Sequence, residues 1–269
     1  MNFVAWVDRS SLLGLFLITL VVVFVSIGTG TALRRLMGVR ASESDATGSV
    51  VGATLGLLAF ILAFSFSMAA NRYDARKDLL LQEINAIDTT YLRAGLLDDR
   101  YRDLVRRQLA DYVALRVRAV QQADTLAEAI GASEAIQQRL WTMVETMSRE
   151  QTLTHAENLF IQSLNEMIDL QSMRVVVGLQ YRIPSTIWFS LYVIAVLAML
   201  AVGFQFGQAS RRQYVVNVML GAAFSAVITL IADLDRAGEG TVQVAQQPLL
   251  ELHEKMKSRQ ATDSLVPLD

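Results

Sequence analysis

Four stretches without a single Asp, Glu, Lys or Arg divide the chain: Ser10–Leu33, Ala46–Asn71, Ile183–Ser210 and Gln213–Ala232. A helix needs roughly 20 mostly apolar residues to cross a hydrocarbon core about 30 Å thick. Backbone groups in lipid must bond within their own segment, so each stretch predicts a transmembrane helix. The spans come in two pairs separated by a polar segment. This pattern predicts an all-α integral membrane protein with four transmembrane helices (2+2) and a helical extramembrane insert between helices 2 and 3. Residues 1–71 are the first pair, 72–182 the insert, 183–235 the second pair and 236–269 a C-terminal tail. The first span reads as an uncleaved helix rather than a signal peptide. Met1–Arg9 carries one Asp and one Arg, and Arg34–Arg35 follow the apolar run directly, as after an anchor. No strand precedes Gly28-Thr29-Gly30, so these glycines are not read as a nucleotide loop.

Within the insert the apolar positions take helical spacing. Leu80, Ile84, Ile87, Tyr91 and Ala94 form one seam, alternating steps of four and three. Gly95 followed by Asp98–Asp99 predicts a stop and a new helix start. The next helix carries Tyr101, Leu104, Val105, Leu109, Tyr112 and Leu115. Gly131-Ala132-Ser133 predicts a further break, before a stripe of Ile136, Leu140, Met143 and Met147. A fourth helix from about Thr154 carries Phe160, Leu164 and Met167 and runs close to Pro184, which suits the first turn of the third span. The tail predicts an extended segment and a short helix around Leu249–Lys257.

Composition agrees with a membrane protein: 53% of residues are hydrophobic and only 19% charged. A net charge of −2 gives no basic field for nucleic acid. The absence of cysteine excludes disulfides, thiolate metal sites and cysteine nucleophiles. His155 and His253 have no neighbour at metal-ligand spacing, and the serines lack a nucleophile-elbow pattern. No enzyme activity, metal or cofactor is expected.

The membrane helices carry more. On the second span Gly48, Gly52 and Gly56 recur every four residues, and Phe60, Phe64 and Met68 continue the row. Small residues at this spacing allow close helix approach. The bulky end, with Leu57, Phe60, Ile61 and Phe64, reads either as ordinary packing or as a hydrophobic constriction shared between subunits. The fourth span bears Asn217, Gly221, Ser225, Thr229 and Asp233, again four apart, which fits helix packing or pore lining. Asp233 and Asp235 read as solvated charges at a helix end. At the exit of the second span, Asn71, Arg72, Tyr73, Arg76 and Lys77 fit an interfacial belt, with Tyr73 at headgroup level and the cations on lipid phosphates.

The exit stretch Asn71-Arg72-Tyr73-Asp74-Ala75-Arg76-Lys77 resembles the bestrophin-like family of bacterial membrane proteins. The likeness continues at Gln82-Glu83-Ile84-Asn85-Ala86-Ile87, Tyr91-Leu92-Arg93, Ser163-Leu164-Asn165-Glu166-Met167, Arg182-Ile183-Pro184 and Asp233-Leu234-Asp235-Arg236. More distantly the chain is similar to the bestrophins, pentameric anion channels whose second helix lines a hydrophobic neck and whose helical insert is cytosolic. That resemblance implies a homo-oligomer, a pentamer if the likeness holds throughout, with a permeant anion and a neck around Leu57, Phe60, Ile61 and Phe64. The chain departs from bestrophins in lacking the paired tryptophans after the exit Tyr and an evident acidic calcium clasp.

Orientation stays open on charge alone. Arg34, Arg35, Arg40, Arg211 and Arg212 would be cytoplasmic by the positive-inside rule. Arg72, Arg76, Lys77, Arg174, Arg182 and Arg236 flank the other face and nearly cancel them. The resemblance favours a cytosolic insert in a multi-pass protein of the bacterial inner membrane, with membrane lipids and other copies of itself as partners. Two functions follow: an oligomeric, anion-selective channel, or a non-conducting scaffold or sensor whose insert mediates oligomerisation or partner binding. A proton-coupled transporter is disfavoured, because no charged residue lies within the spans.

Overall fold

The computed structural model describes residues 11–38, 44–122, 126–150, 153–206, 211–236 and 240–263. The expectations for Met1–Arg9, Arg40 and Gly238, and for the side chains of Arg211 and Arg212, fall outside what is described. Among the described residues every regular element is helical: α1 Leu12–Met37, α2 Ser44–Ala94, α3 Asp99–Gln121, α4 Leu126–Glu150, α5 His155–Val175, α6 Ser185–Phe206, α7 Arg211–Asp235 and α8 Gln247–Asp263. A five-residue π-helical segment, Val176–Gln180, continues α5. Four stretches are long and apolar enough to cross a membrane; they lie in α1, in the first part of α2, in α6 and in α7.

The chain forms two compact units. The first comprises Met1–Asp74 and Tyr181–Gln243, the second Ala75–Gln180 and Val244–Asp269. No breaker interrupts the sequence between Ala70 and Leu80, and α2 runs on through both units as one helix.

In the first unit, α1 starts at Ser11, whose hydroxyl accepts the Gly14 N–H at 3.0 Å. It ends at Gly38, held at φ 64°, where a side chain would be strained. The core joins Leu15, Val23 and Ile27 of α1 to Leu58 and Leu62 of α2, Trp188, Leu191 and Met199 of α6, and Ile228 and Ile231 of α7. The closest helix approach is between α1 and α6. A Cβ on Gly30 would lie 2.0 Å from the Leu200 carbonyl oxygen, and one on Gly203 would lie 2.0 Å from that of Ile27. Polar bonds tie the same seam. Thr31 donates to the Gly203 carbonyl at 3.2 Å, Thr19 and Tyr192 share a hydroxyl bond of 2.9 Å, and Arg34 donates to the carbonyls of Phe204 and Gln205. Arg34 thereby places a cation where the last turn of α6 exposes its partial negative charge.

In the second unit the α2 seam of Leu80, Ile84, Ile87, Tyr91 and Ala94 is buried. Against it pack Val105, Leu109 and Tyr112 of α3, Ile136, Leu140 and Met147 of α4, and Phe160, Leu164 and Met167 of α5. α2 stops before Gly95, and the Asp98 carbonyl accepts the first amides of α3. At the start of α5, Thr154 accepts the Glu157 N–H while Glu157 takes the Thr154 N–H, a reciprocal cap.

Two expectations change. Gly131-Ala132-Ser133 does not break a helix; it lies inside α4. An interior glycine costs about 1 kcal/mol against alanine, less than what burying Ala129, Ser133, Ile136 and Leu140 along one continuous face supplies. The C-terminal tail divides between the units. Residues 240–243 pack in the first, whereas α8 sets Leu249, Leu252 and Met256 into the core of the second.

Candidate pore helix and the polar clusters beside it

The first half of α2 has two unlike faces. Leu58, Leu62, Ser65 and Ala69, at steps of four and three, are buried against the first unit's core. On the opposite side Leu57 is 48% exposed, Phe60 66% and Phe64 52%, while Ile61 is half-buried. Three of the four expected constriction residues therefore point away from this chain's own bundle. The glycine row has no close neighbour within the chain either. A Cβ on Gly52 or Gly56 would meet nothing within 4 Å, and one on Gly48 only the Gln205 amide nitrogen at 3.5 Å. The tight contact that small residues permit is made instead at Gly30 and Gly203.

The α7 row behaves differently. Gly221 faces α1, where an added Cβ would lie 2.9 Å from Val23. Ser225 is fully buried, and Thr229 donates to the Ser225 carbonyl at 2.8 Å. Asn217 is half-buried. Gly221 and Ser225 thus serve packing within the chain. Between the two helices, Ala59, Leu62, Ala63 and Phe66 of α2 and Leu220, Ala223, Phe224 and Val227 of α7 line a wholly apolar groove of about 380 Å³.

At the exit of α2, Asn71 and Lys77 are exposed, Arg72 and Tyr73 half-buried, and Arg76 buried. The Tyr73 hydroxyl lies 3.4 Å from the Gln243 carbonyl, longer than a strong O–H···O bond. Asn71 and Lys77 fit the solvated side of an interfacial belt. Arg76 does not, being turned inward.

Asp233 and Asp235 are not solvated helix-end charges: both are buried. Asp235 accepts the Ile183 N–H at 3.0 Å, just ahead of the first turn of α6, and Arg182 donates to the Asp235 backbone carbonyl. Asp233 accepts the Thr241 N–H at 2.9 Å and the Thr241 hydroxyl as well. Gly240, at φ 150°, is required there, since a Cβ would sit 2.0 Å from an Asp233 carboxylate oxygen. These bonds compensate the desolvation of two carboxylates. They also bring together Arg182-Ile183 and Asp233–Asp235, stretches 50 residues apart whose proximity no spacing rule predicts. Among the described residues no group of three His, Cys, Asp or Glu is placed to hold a metal ion.

The second unit holds a buried ionic hub that periodicity did not reveal. Glu83 of α2, 1% exposed, accepts the Tyr112 hydroxyl on Oε1 at 2.8 Å. Its Oε2 contacts the Arg174 guanidinium of α5 and lies 3.6 Å from that of Arg116 on α3. Burial first, and the neighbouring Glu83 charge next, push the Tyr112 hydroxyl well above its ordinary range, so it stays protonated and donates. The family-like run Gln82-Glu83-Ile84 was the only signal marking Glu83. A second cluster joins α8 to α2: Asp88 takes Lys255 and Arg259, each at 2.6 Å, and Arg259 and Arg106 flank the Tyr91 ring at 5.8 and 5.2 Å.

Four apolar helical spans in one unit and a helical unit rich in buried ion pairs define a polytopic helical membrane protein. The model of the Bestrophin-like domain matches residues 19–249, and the chain belongs to the bestrophin-like family. No curated protein matches. Among solved structures, a variant of a bacterial bestrophin homolog from Klebsiella pneumoniae superposes with a TM-score of 0.64 at 15% identity, over 93% of this chain and 98% of that one. A second structure of the Klebsiella pneumoniae homolog, phased by Zn-SAD, gives 0.62 at 15% identity, over 90% and 94%. A crystal structure titled only as that of a membrane protein gives 0.63 at 16%, over 96% and 100%. At these identities the likeness shows a shared fold.

Proposed function

We propose that the chain assembles with copies of itself into an anion-selective channel whose constriction is formed by Leu57, Phe60, Ile61 and Phe64 of α2. The observation that carries this reading is the two-faced α2. Its Leu58–Ala69 face is satisfied within the chain, and the opposite face presents a bulky apolar row beside uncovered glycines. Repeated around a symmetry axis, that row forms a narrow apolar ring of the kind that gates by dewetting. Gly52 and Gly56, open on the same helix, let neighbouring copies approach closely. Anion selectivity is supported by what the spans lack. They carry no acidic residue between their flanks, while their hydroxyls and aromatic ring edges offer partial positive charge. Membership in the bestrophin-like family supports a channel over a scaffold. The same reading puts the protein in the bacterial inner membrane, with the helical unit cytosolic and Arg72 and Lys77 on lipid headgroups.

A resolved oligomer tests the constriction. Phe60 and Phe64 should face the symmetry axis; if both contact lipid, the proposed ring is wrong.

A further inference from the structure

The charges buried in the second unit do not balance. Around Glu83 lie two guanidinium groups, and the remaining partner, Tyr112, is a neutral hydroxyl that only donates. One carboxylate therefore faces two cations, a net excess of one positive charge. The side chains of Glu83, Arg116 and Arg174 are 1%, 8% and 17% exposed. A buried charge without a counter-charge is costly, and that cost is normally met by a partner. Arg174 holds Glu83 closely. Arg116 does not: 3.6 Å exceeds a hydrogen bond, and no acceptor among the described residues bonds its guanidinium. Arg116 thus combines a formal charge with up to five donors lacking an acceptor.

A water molecule would satisfy some donors and leave the charge. A dianion would reverse the excess. A small monovalent anion answers both deficits at once. We infer that the hub at Glu83, Arg116 and Arg174 binds one chloride-class anion, chloride, bromide or nitrate, which stabilises the packing of α2, α3 and α5. This site lies in the second unit and is independent of the proposed constriction; it stands whether or not the protein conducts.

The test uses the full chain purified in detergent, with thermal unfolding followed by tryptophan fluorescence at constant ionic strength as bromide replaces gluconate. The wild-type midpoint should rise with bromide and saturate, because a ligand that binds only the folded state stabilises it. Arg116→Gln should abolish that rise. Glu83→Gln keeps the side chain's shape and its acceptor for Tyr112 but removes the competing negative charge. Its half-saturating bromide concentration should fall by about tenfold or more, as expected for one unit charge at contact distance. A variant lacking the hub carboxylate for purely structural reasons would be less stable with no gain in anion response. A wild-type midpoint indifferent to bromide, an undiminished response in Arg116→Gln, or a Glu83→Gln response no tighter than wild type would each overturn the assignment. Should Arg116→Gln fail to fold, the comparison of Glu83→Gln with wild type decides.

Discussion

Gly30 and Gly203 sit where the α1 and α6 backbones touch, and each would place a Cβ 2.0 Å from a carbonyl oxygen of the other helix. Relief requires the helices to separate, which also breaks the Thr31 and Arg34 bonds to the end of α6. Gly30→Ala should therefore destabilise the fold by about 2–3 kcal/mol or more, at the upper end of overpacking effects. Gly52→Ala and Gly56→Ala meet open space and should leave the unfolding midpoint of the single chain within about 1 kcal/mol of wild type. Thermal melts of the three variants in detergent separate these outcomes. The sequence shows glycines in both places and gives the regular row on α2 the stronger claim to close packing. Periodicity describes one helix at a time, however, whereas the close approach depends on which two helices meet. The Glu83 hub was hidden for the same reason, since its members come from three helices.

Single elements were more legible. The α2 seam, the stop before Gly95 and the capped start of α5 follow from spacing and turn chemistry, which act over a few residues. Gly131 misled because a local helix penalty was outweighed by a buried face four turns long. The role of α8 also exceeded what its short pattern conveyed. Its Leu252 is buried in the second unit, and Leu252→Ala should cost about 2–5 kcal/mol, visible as a lowered melting midpoint. Asp88 adds a pH-dependent tie. Burial works to raise its carboxyl, but the hydrogen bonds from Lys255 and Arg259 outweigh that and hold it below its ordinary 3.8. A depressed folded-state value contributes stability that is fully present above the unfolded value and disappears as pH falls through the folded one. The α8 contact should weaken below about pH 3.8. Hydrogen exchange in α8 should accelerate there, and Asp88→Asn should remove that step while raising exchange at neutral pH.

For the whole molecule, two pairs of apolar spans with a helical insert were readable from charge-free stretches alone, because lipid imposes so strict a constraint on the backbone. What a membrane helix shows to its neighbours was not, since apolar residues face lipid, partner and constriction alike. The structure narrows this by showing which side of α2 its own chain already covers. The exposed row of Leu57, Phe60 and Phe64 then becomes the most informative surface of the protein. If it forms the constriction, Phe60→Ala and Phe64→Ala widen and wet the ring, and each should raise single-channel conductance or open probability severalfold. The most direct test is current through purified protein in planar bilayers under a chloride gradient. A current whose reversal potential follows chloride, and which is enlarged by Phe60→Ala, is the predicted result. Sealed bilayers with no conductance in chloride, bromide or nitrate, from protein shown to be folded and inserted, would contradict it.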